Sequence, residues 1–286
     1  MKKILILCLV CILLLAGFGI VKMQTTTAQE ATLTGALTEP YVIDTEDDFI
    51  LTLDNVNGTF EDSAIKVNNA KSVTIVLVGE NSLESTGDVE TVEPKVISSN
   101  ADLIFKGDGV LTINSTDTCI KSKSNLTIES GTYNLTGGTD GKGLRANYTM
   151  SINGGTFNIR SGECLEATNI IINDGEFNLS SSDDAINAAN KIDEENIAIV
   201  PCLTINGGNI KITMDQGDTD GIDSNGDLII NAGTIYVTAQ SAFDWDGELQ
   251  FNGGTVIVNG EKVTEITNQF EGGETGMPGE MPGGLN

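Results

Sequence analysis

Ten oxygen-bearing side chains recur through the second half of this 286-residue chain: Glu163, Glu166, Asp183, Asp184, Asn187, Asp218, Asp220, Asp223, Asp244 and Asp246. Carboxylates joined by an amide oxygen form a hard-cation donor set. Ca²⁺ accepts about six to eight such ligands in flexible geometry, whereas Mg²⁺ demands a stricter octahedron. The chain has no histidine, which removes the usual general base, His-based triads and most zinc sites. Basic residues precede the acids in the same pattern: Lys66, Lys121, Lys142 and Arg145. A cation beside a basic side chain is also the equipment for eliminating across a uronate: the metal stabilises the carboxylate as the α-proton leaves, and the base takes the proton.

These residues gain a common frame from a phrase that the chain keeps rewriting. It reads LTIESGTYNL from Leu126, MSINGGTFNI from Met150, IIINDGEFNL from Ile170, LTINGGNIKI from Leu203, LIINAGTIYV from Leu228 and LQFNGGTVIV from Leu249. An imperfect copy, LIFKGDGVLTI, starts at Leu103. Starts lie roughly 20–33 residues apart, the signature of a solenoid. Within each copy apolar and polar residues alternate, as in half-buried strands. A third short strand follows, centred on Ile65, Ile120, Leu144, Leu165, Ile186, Ile222 or Phe243. Three strands per turn, each stacked on its counterpart, predict an all-β, single-stranded parallel β-helix of about nine rungs. At about 4.8 Å per rung, it is a rod near 40 Å long. The glycine column Gly131, Gly155, Gly175, Gly208, Gly233 and Gly254 marks corners where positive φ is cheap. Asn153, Asn173, Asn206, Asn231 and Asn252 form an asparagine column before those corners, read as a structural ladder of stacked amides.

Alignment on this frame sorts the charges. The position before the third-strand apolar column holds only small residues: Ala64, Cys119, Gly143, Cys164, Ala185, Gly221 and Ala242. The two cysteines there are space-fillers, two rungs and thus roughly 9–10 Å apart, too far for a disulfide. The position after it runs Lys66, Lys121, Arg145, Glu166, Asn187, Asp223, Asp244. Two positions before it stand Glu163, Asp184 and Asp220, flanked by Asp183 and Asp218, and Asp246 follows Asp244. One face is therefore basic in its first half and acidic in its second. Like charges on adjacent rungs repel by about 1 kcal/mol per surface pair, and more when partly buried. This predicts a counter-ion; the plainer reading is a solvated acidic face. Trp245, between Asp244 and Asp246, either stacks on a sugar or plugs a terminal rung.

The ends and the composition bound the rest. Met1-Lys2-Lys3, the apolar run from Ile4 to Val21, and Thr26-Thr27-Ala28 before Gln29 read as a cleaved signal peptide or an uncleaved N-terminal anchor. Either places the folded part outside the cytoplasm, extracellular or at the cell surface. The net charge is −26; since residues 1–28 carry three lysines and no acid, the remainder holds 12 basic and 41 acidic groups, or −29. Such a surface repels nucleic acid and anionic membranes and attracts divalent cations; membrane association is expected only through the N-terminal anchor. Three cysteines beyond the leader, Cys119, Cys164 and Cys202, do not make a disulfide framework. The expected organisation is residues 1–28 as signal or anchor, 29–268 as the β-helix, and 269–286 as a disordered Gly/Pro-rich tail. Thr38–Asn100 reads as a degenerate start of the repeat with an N-cap, and the insertion between Asn190 and Pro201 as a flap or a binding loop.

The segments GECLEATNIIINDGEFNLSSSDDAINAANK (162–191), GDTDGIDSNGDLIINAGTIYV (217–237) and SAFDWDGELQFNGGTVIV (241–258) resemble the carbohydrate-binding right-handed β-helix proteins of anaerobic bacteria. The resemblance runs from Leu103 to Val258 and rests on the DDAIN, DGIDSNG and FDWDG motifs in combination. It implies a pectate-lyase-like, Ca²⁺-binding β-helix that binds cellulosic and pectic polysaccharides without established lyase activity. Carried over residue by residue, the metal acids are Glu163, Glu166, Asp183, Asp184, Asp220, Asp223, Asp244 and Asp246. Arg145 departs from the pattern, standing where relatives commonly have an acid or histidine, which shortens the expected Ca²⁺ array.

Three functions compete. The first is a non-catalytic carbohydrate-binding protein whose bound Ca²⁺ bridges protein carboxylates to polysaccharide, with Trp245, Arg145 and Lys142 as sugar contacts. One tryptophan and 5% aromatic residues supply no flat stacking platform for crystalline cellulose. The second is a Ca²⁺-dependent lyase using Lys121, Lys142 or Arg145 as base. The third is an adhesin or structural stalk.

Overall fold

The computed structural model describes residues 28–192, 199–215 and 220–268. The expected signal segment and Gly/Pro-rich tail lie outside them, as do Asp218 and the middle of the insertion after Asn190. Every regular element among the described residues is a strand, and together they wind into a parallel β-solenoid. Three ladders run along it. The third contains nine strands, from Tyr41–Asp44 through Lys142–Ala146 and Glu163–Ala167 to Ser241–Trp245. The first two ladders merge into one 19-stranded sheet, because Gln29–Ala36 and Phe49–Phe60 each run unbroken around the corner between them.

The alternating pattern fixes which side chains point inward. Leu126 and Ile128 are buried and pair in register with Met150 and Ile152, which pair with Ile170 and Ile172. In the second ladder Tyr133, Phe157 and Phe177 stack, with ring centroids 5.1 and 4.6 Å apart and planes 8° from parallel. Buried Tyr133 keeps its phenol satisfied by donating to the carbonyl of Ser130 at 2.8 Å. The corner chemistry matches the sequence. Gly155 has φ of 114°, and a Cβ there would sit 3.0 Å from the carbonyl oxygen of Gly131 one rung below. The Nδ2 of Asn173 donates to Asn153, Asn206 to Asn173, Asn231 to Asn206 and Asn252 to Asn231, all at 2.7–2.8 Å. That column is a structural ladder.

Two details refine the expectation. Rungs begin at Gln29 rather than at Thr38, and a rung centred on Ile97 lies between those of Ile65 and Ile120. At the far end Glu261–Val263 turns back and pairs antiparallel with Thr255–Val258. Cys119 and Cys164 are buried, free thiols in the small-residue column. Burial pushes both thiols well up, so neither is a reactive thiolate.

Candidate functional site: the charged third ladder

The outward column of the third ladder reads, in register, Val42, Lys66, Ser98, Lys121, Arg145, Glu166, Asn187, Asp223, Asp244. The column three residues earlier pairs Lys95 with Thr118, Lys142 with Glu163, and Asp220 with Ser241. The predicted gradient from basic to acidic is thus a property of the folded ladder. The register follows from the apolar residue between the two columns, since Leu144, Leu165, Ile186 and Ile222 must all face the core.

At the centre of the ladder the two signs meet and neutralise each other. Lys142 Nζ lies 3.0 Å from Glu163 Oε1, Arg145 Nε 3.0 Å from Glu166 Oε2, and Lys191 Nζ 2.6 Å from Glu166 Oε1. Lys142 also donates to the carbonyl of Asp140. The Arg145–Glu166 contact is close in charge but misaligned as a hydrogen bond, leaving Nε and Oε2 without one; Glu163 Oε2 is likewise buried without a partner. Burial disfavours ionisation of both glutamates. At Glu166 this is outweighed by Lys191, Arg145 and Lys142, which hold the carboxyl below its usual range. At Glu163 burial and the adjacent Glu166 prevail over Lys142 and push the carboxyl up. Glu163 and Glu166 therefore face cations supplied by the chain itself, and Lys142 and Arg145 are engaged there rather than free to reach out. Lys191 leads into the insertion, three residues beyond the strand Ile186–Ala188, where the repeat offers no alignment for it.

Beyond that boundary the acids lack such partners. Among the described residues no salt bridge reaches Asp183, Asp184, Asp223, Asp244 or Asp246. Asp223 is 9% exposed and Asn187 8%. Burial, then Asp184, Asp244, Asp220 and Asp246, push Asp223 up to about 7. Burial chiefly pushes Asp184 up to about 6, although the backbone N–H of Asp220 donates to it at 3.1 Å. Asn187 Nδ2 donates to Asp184 Oδ2 at 3.2 Å, while its Oδ1 is buried without a partner. Asn225 donates to Asp223 Oδ2 at 3.3 Å, and the hydroxyl of Ser241 donates to Asp220 Oδ1. Asp183 and Asp246 are exposed at the rim. Among the described residues no three acids, cysteines or histidines converge closely enough to enclose a metal ion. As donors, however, they fit a hard cation: all are oxygens, they repel one another, and the Asn187 carbonyl oxygen has nothing to accept from. Trp245 pairs in register with Ser224, on the inward column, and packs half-buried against the end of the core. That is the position of the plug at the terminal rung.

Fold and site define a repeat protein whose charge is arranged along one outer face of a solenoid. The chain belongs to the family described as carbohydrate-binding domain-containing protein, whose match spans residues 21–262. A solved structure of a polysaccharide lyase-like protein from C. thermocellum, in a gadolinium derivative, is similar at 23% identity over 82% of this chain and 84% of that one, with a TM-score of 0.49. No curated protein matches the chain.

Proposed function

We propose that this carbohydrate-binding protein acts outside the cytoplasm, secreted or tethered through its N-terminal segment, and holds plant-wall-type polysaccharide, pectic or cellulosic, on a Ca²⁺-loaded acidic face. The observation that carries the reading is the buried Asn187 carbonyl oxygen with no hydrogen-bond partner, stacked in register against Asp223 and bonded through its own amide to Asp184. An orphaned buried acceptor costs about 1–3 kcal/mol, and a cation bound there removes that penalty together with the repulsion among the aspartates. Asp184, Asn187, Asp220, Asp223 and Asp244 are the residues that would hold it, with Glu163 and Glu166 engaged at the neighbouring boundary. A bound Ca²⁺ supplies positive charge that a sugar carboxylate or hydroxyl pair can ligate. A protein of net charge −26 otherwise repels a polyuronate. The chain's own contribution is to hold these oxygens on one rigid face at the rung spacing.

The test has two parts. Ca²⁺ titrated into the chelated protein should raise its melting temperature by several degrees; at a hundredfold excess over Kd the linkage is about 2.7 kcal/mol. An unchanged melting temperature removes the metal from the reading. The protein should then sediment with insoluble pectic or cellulosic polysaccharide and release no unsaturated uronide from polygalacturonate. Release of that product would identify the lyase instead, and neither binding nor product would leave the structural stalk.

A further inference from the structure

The opposite end of the same ladder carries a second feature. Ser98 stands in register between Lys66 and Lys121. One short side chain between two long ones leaves a depression, because the lysines are two rungs, about 10 Å, apart. The result is a cleft of about 430 Å³ into which Lys66, Lys95, Lys121 and Lys123 all project from its lining. Two acids, Asp62 and Glu93, share its wall. Lys95 is taken up by Glu93 at 3.4 Å and Asp117 at 4.0 Å. Among the described residues Lys66, Lys121 and Lys123 make no salt bridge. That is notable in a chain with 41 acidic and 15 basic groups: acids are plentiful, yet none closes on these three. The ammonium of half-buried Lys121 is held below its usual pKa, first by burial, then by Arg145, Lys95 and Lys123. Packing cations together without a counter-charge costs stability, and an anion from outside relieves it.

We propose that this cleft is a calcium-independent subsite for an anionic substituent of an acidic glycan, a carboxylate or a sulfate ester. It rests on the carbohydrate-binding reading only for the glycan; the anion follows from the lysines. The subsite lies on the same face as the acidic patch, so one acidic chain lying along the ladder meets lysines directly at one end and the acidic patch at the other. The ammonium groups act as mobile point donors, able to follow an oxyanion whose sugar ring sits in either orientation.

The experiment is calorimetric titration of the full chain in EDTA with three probes: an oligogalacturonide, a sulfated galactan oligosaccharide and a neutral cello-oligosaccharide. At least one acidic probe should bind, more weakly as salt is raised. Lys121→Gln and Lys123→Gln should each weaken it about tenfold, the loss of one charge-assisted contact, and leave any cello-oligosaccharide binding unchanged. Neither variant should lower the melting temperature, since each removes a repelled cation; that readout separates a lost contact from a lost fold. Whichever acidic probe binds identifies the substituent. The subsite is overturned if acidic probes bind only when Ca²⁺ is restored, or if the variants bind them as tightly as the parent. If no probe binds in either EDTA or Ca²⁺, the carbohydrate-binding reading fails with it.

Discussion

The two ends of the third ladder share a backbone and differ in what they display. From Lys66 to Lys121 and from Asn187 to Asp244, the strands keep the same register and the same inward apolar column. Only the outward side chains change sign. The fold therefore places no condition on that column, and a solenoid can vary its binding chemistry rung by rung without repacking its core. The sign change itself is bridged. Where the halves meet, Lys142, Arg145 and Lys191 close onto Glu163 and Glu166, so the seam pairs its charges internally.

Breaking the seam should have the largest effect. Glu166→Gln leaves Arg145 and Lys191 without their shared carboxylate and should destabilise the protein by about 3 kcal/mol, as removal of one partner from a buried pair does; chemical denaturation measures it. Next is removal of the cation. Chelation should expose the strands between Glu163 and Asp244 to faster amide exchange while those between Ile65 and Ser122 keep their protection, if the metal belongs to one end alone. Third, Asp223→Asn should stabilise the chelated protein by about 1 kcal/mol through lost repulsion, worth about 2–4 °C at this size, and at the same time abolish the Ca²⁺-dependent rise. The remaining test is pH dependence. Asp184 and Asp223 titrate at about 6 and about 7 in the folded state, above the unfolded value near 4. Raised folded values mean that their contribution is fully present below about pH 4 and is lost as pH climbs through 6 and 7. The chelated protein should melt progressively lower across that window, and saturating Ca²⁺ should flatten the slope. An acidic-end slope that persists in Asp223→Asn would transfer the effect to Asp184.

Most of this frame was legible in the sequence because a period-two pattern repeated with a fixed corner leaves one register only. Aligning the phrase placed Glu166, Asn187, Asp223 and Asp244 in a single column, as the strand pairing has them. The rung of Ile97 escaped because its strand follows an irregular turn from Thr86 to Pro94, with no copy of the phrase to mark it. With that rung went Ser98 and Lys95, and so the cleft. The partnerships of Lys142 with Glu163 and of Arg145 with Glu166 were implicit in the columns, which set the last basic residues beside the first acids. Lys191 could not be aligned, since it lies where the insertion departs from the repeat. Trp245 illustrates the reverse: its neighbours Asp244 and Asp246 suggest a sugar platform, whereas its register with Ser224 turns it toward the core.

The return strand Glu261–Val263 has a consequence for how this protein meets its own kind. A parallel ladder ends in a row of open donors and acceptors, a template on which another copy could add its first strand and so polymerise. By running antiparallel against Thr255–Val258, the last strand covers that row of the second ladder. The edge it offers in turn belongs to a three-residue strand with Glu261 and Lys262 exposed. Strand addition along the axis is thereby blocked at the second ladder by chain direction.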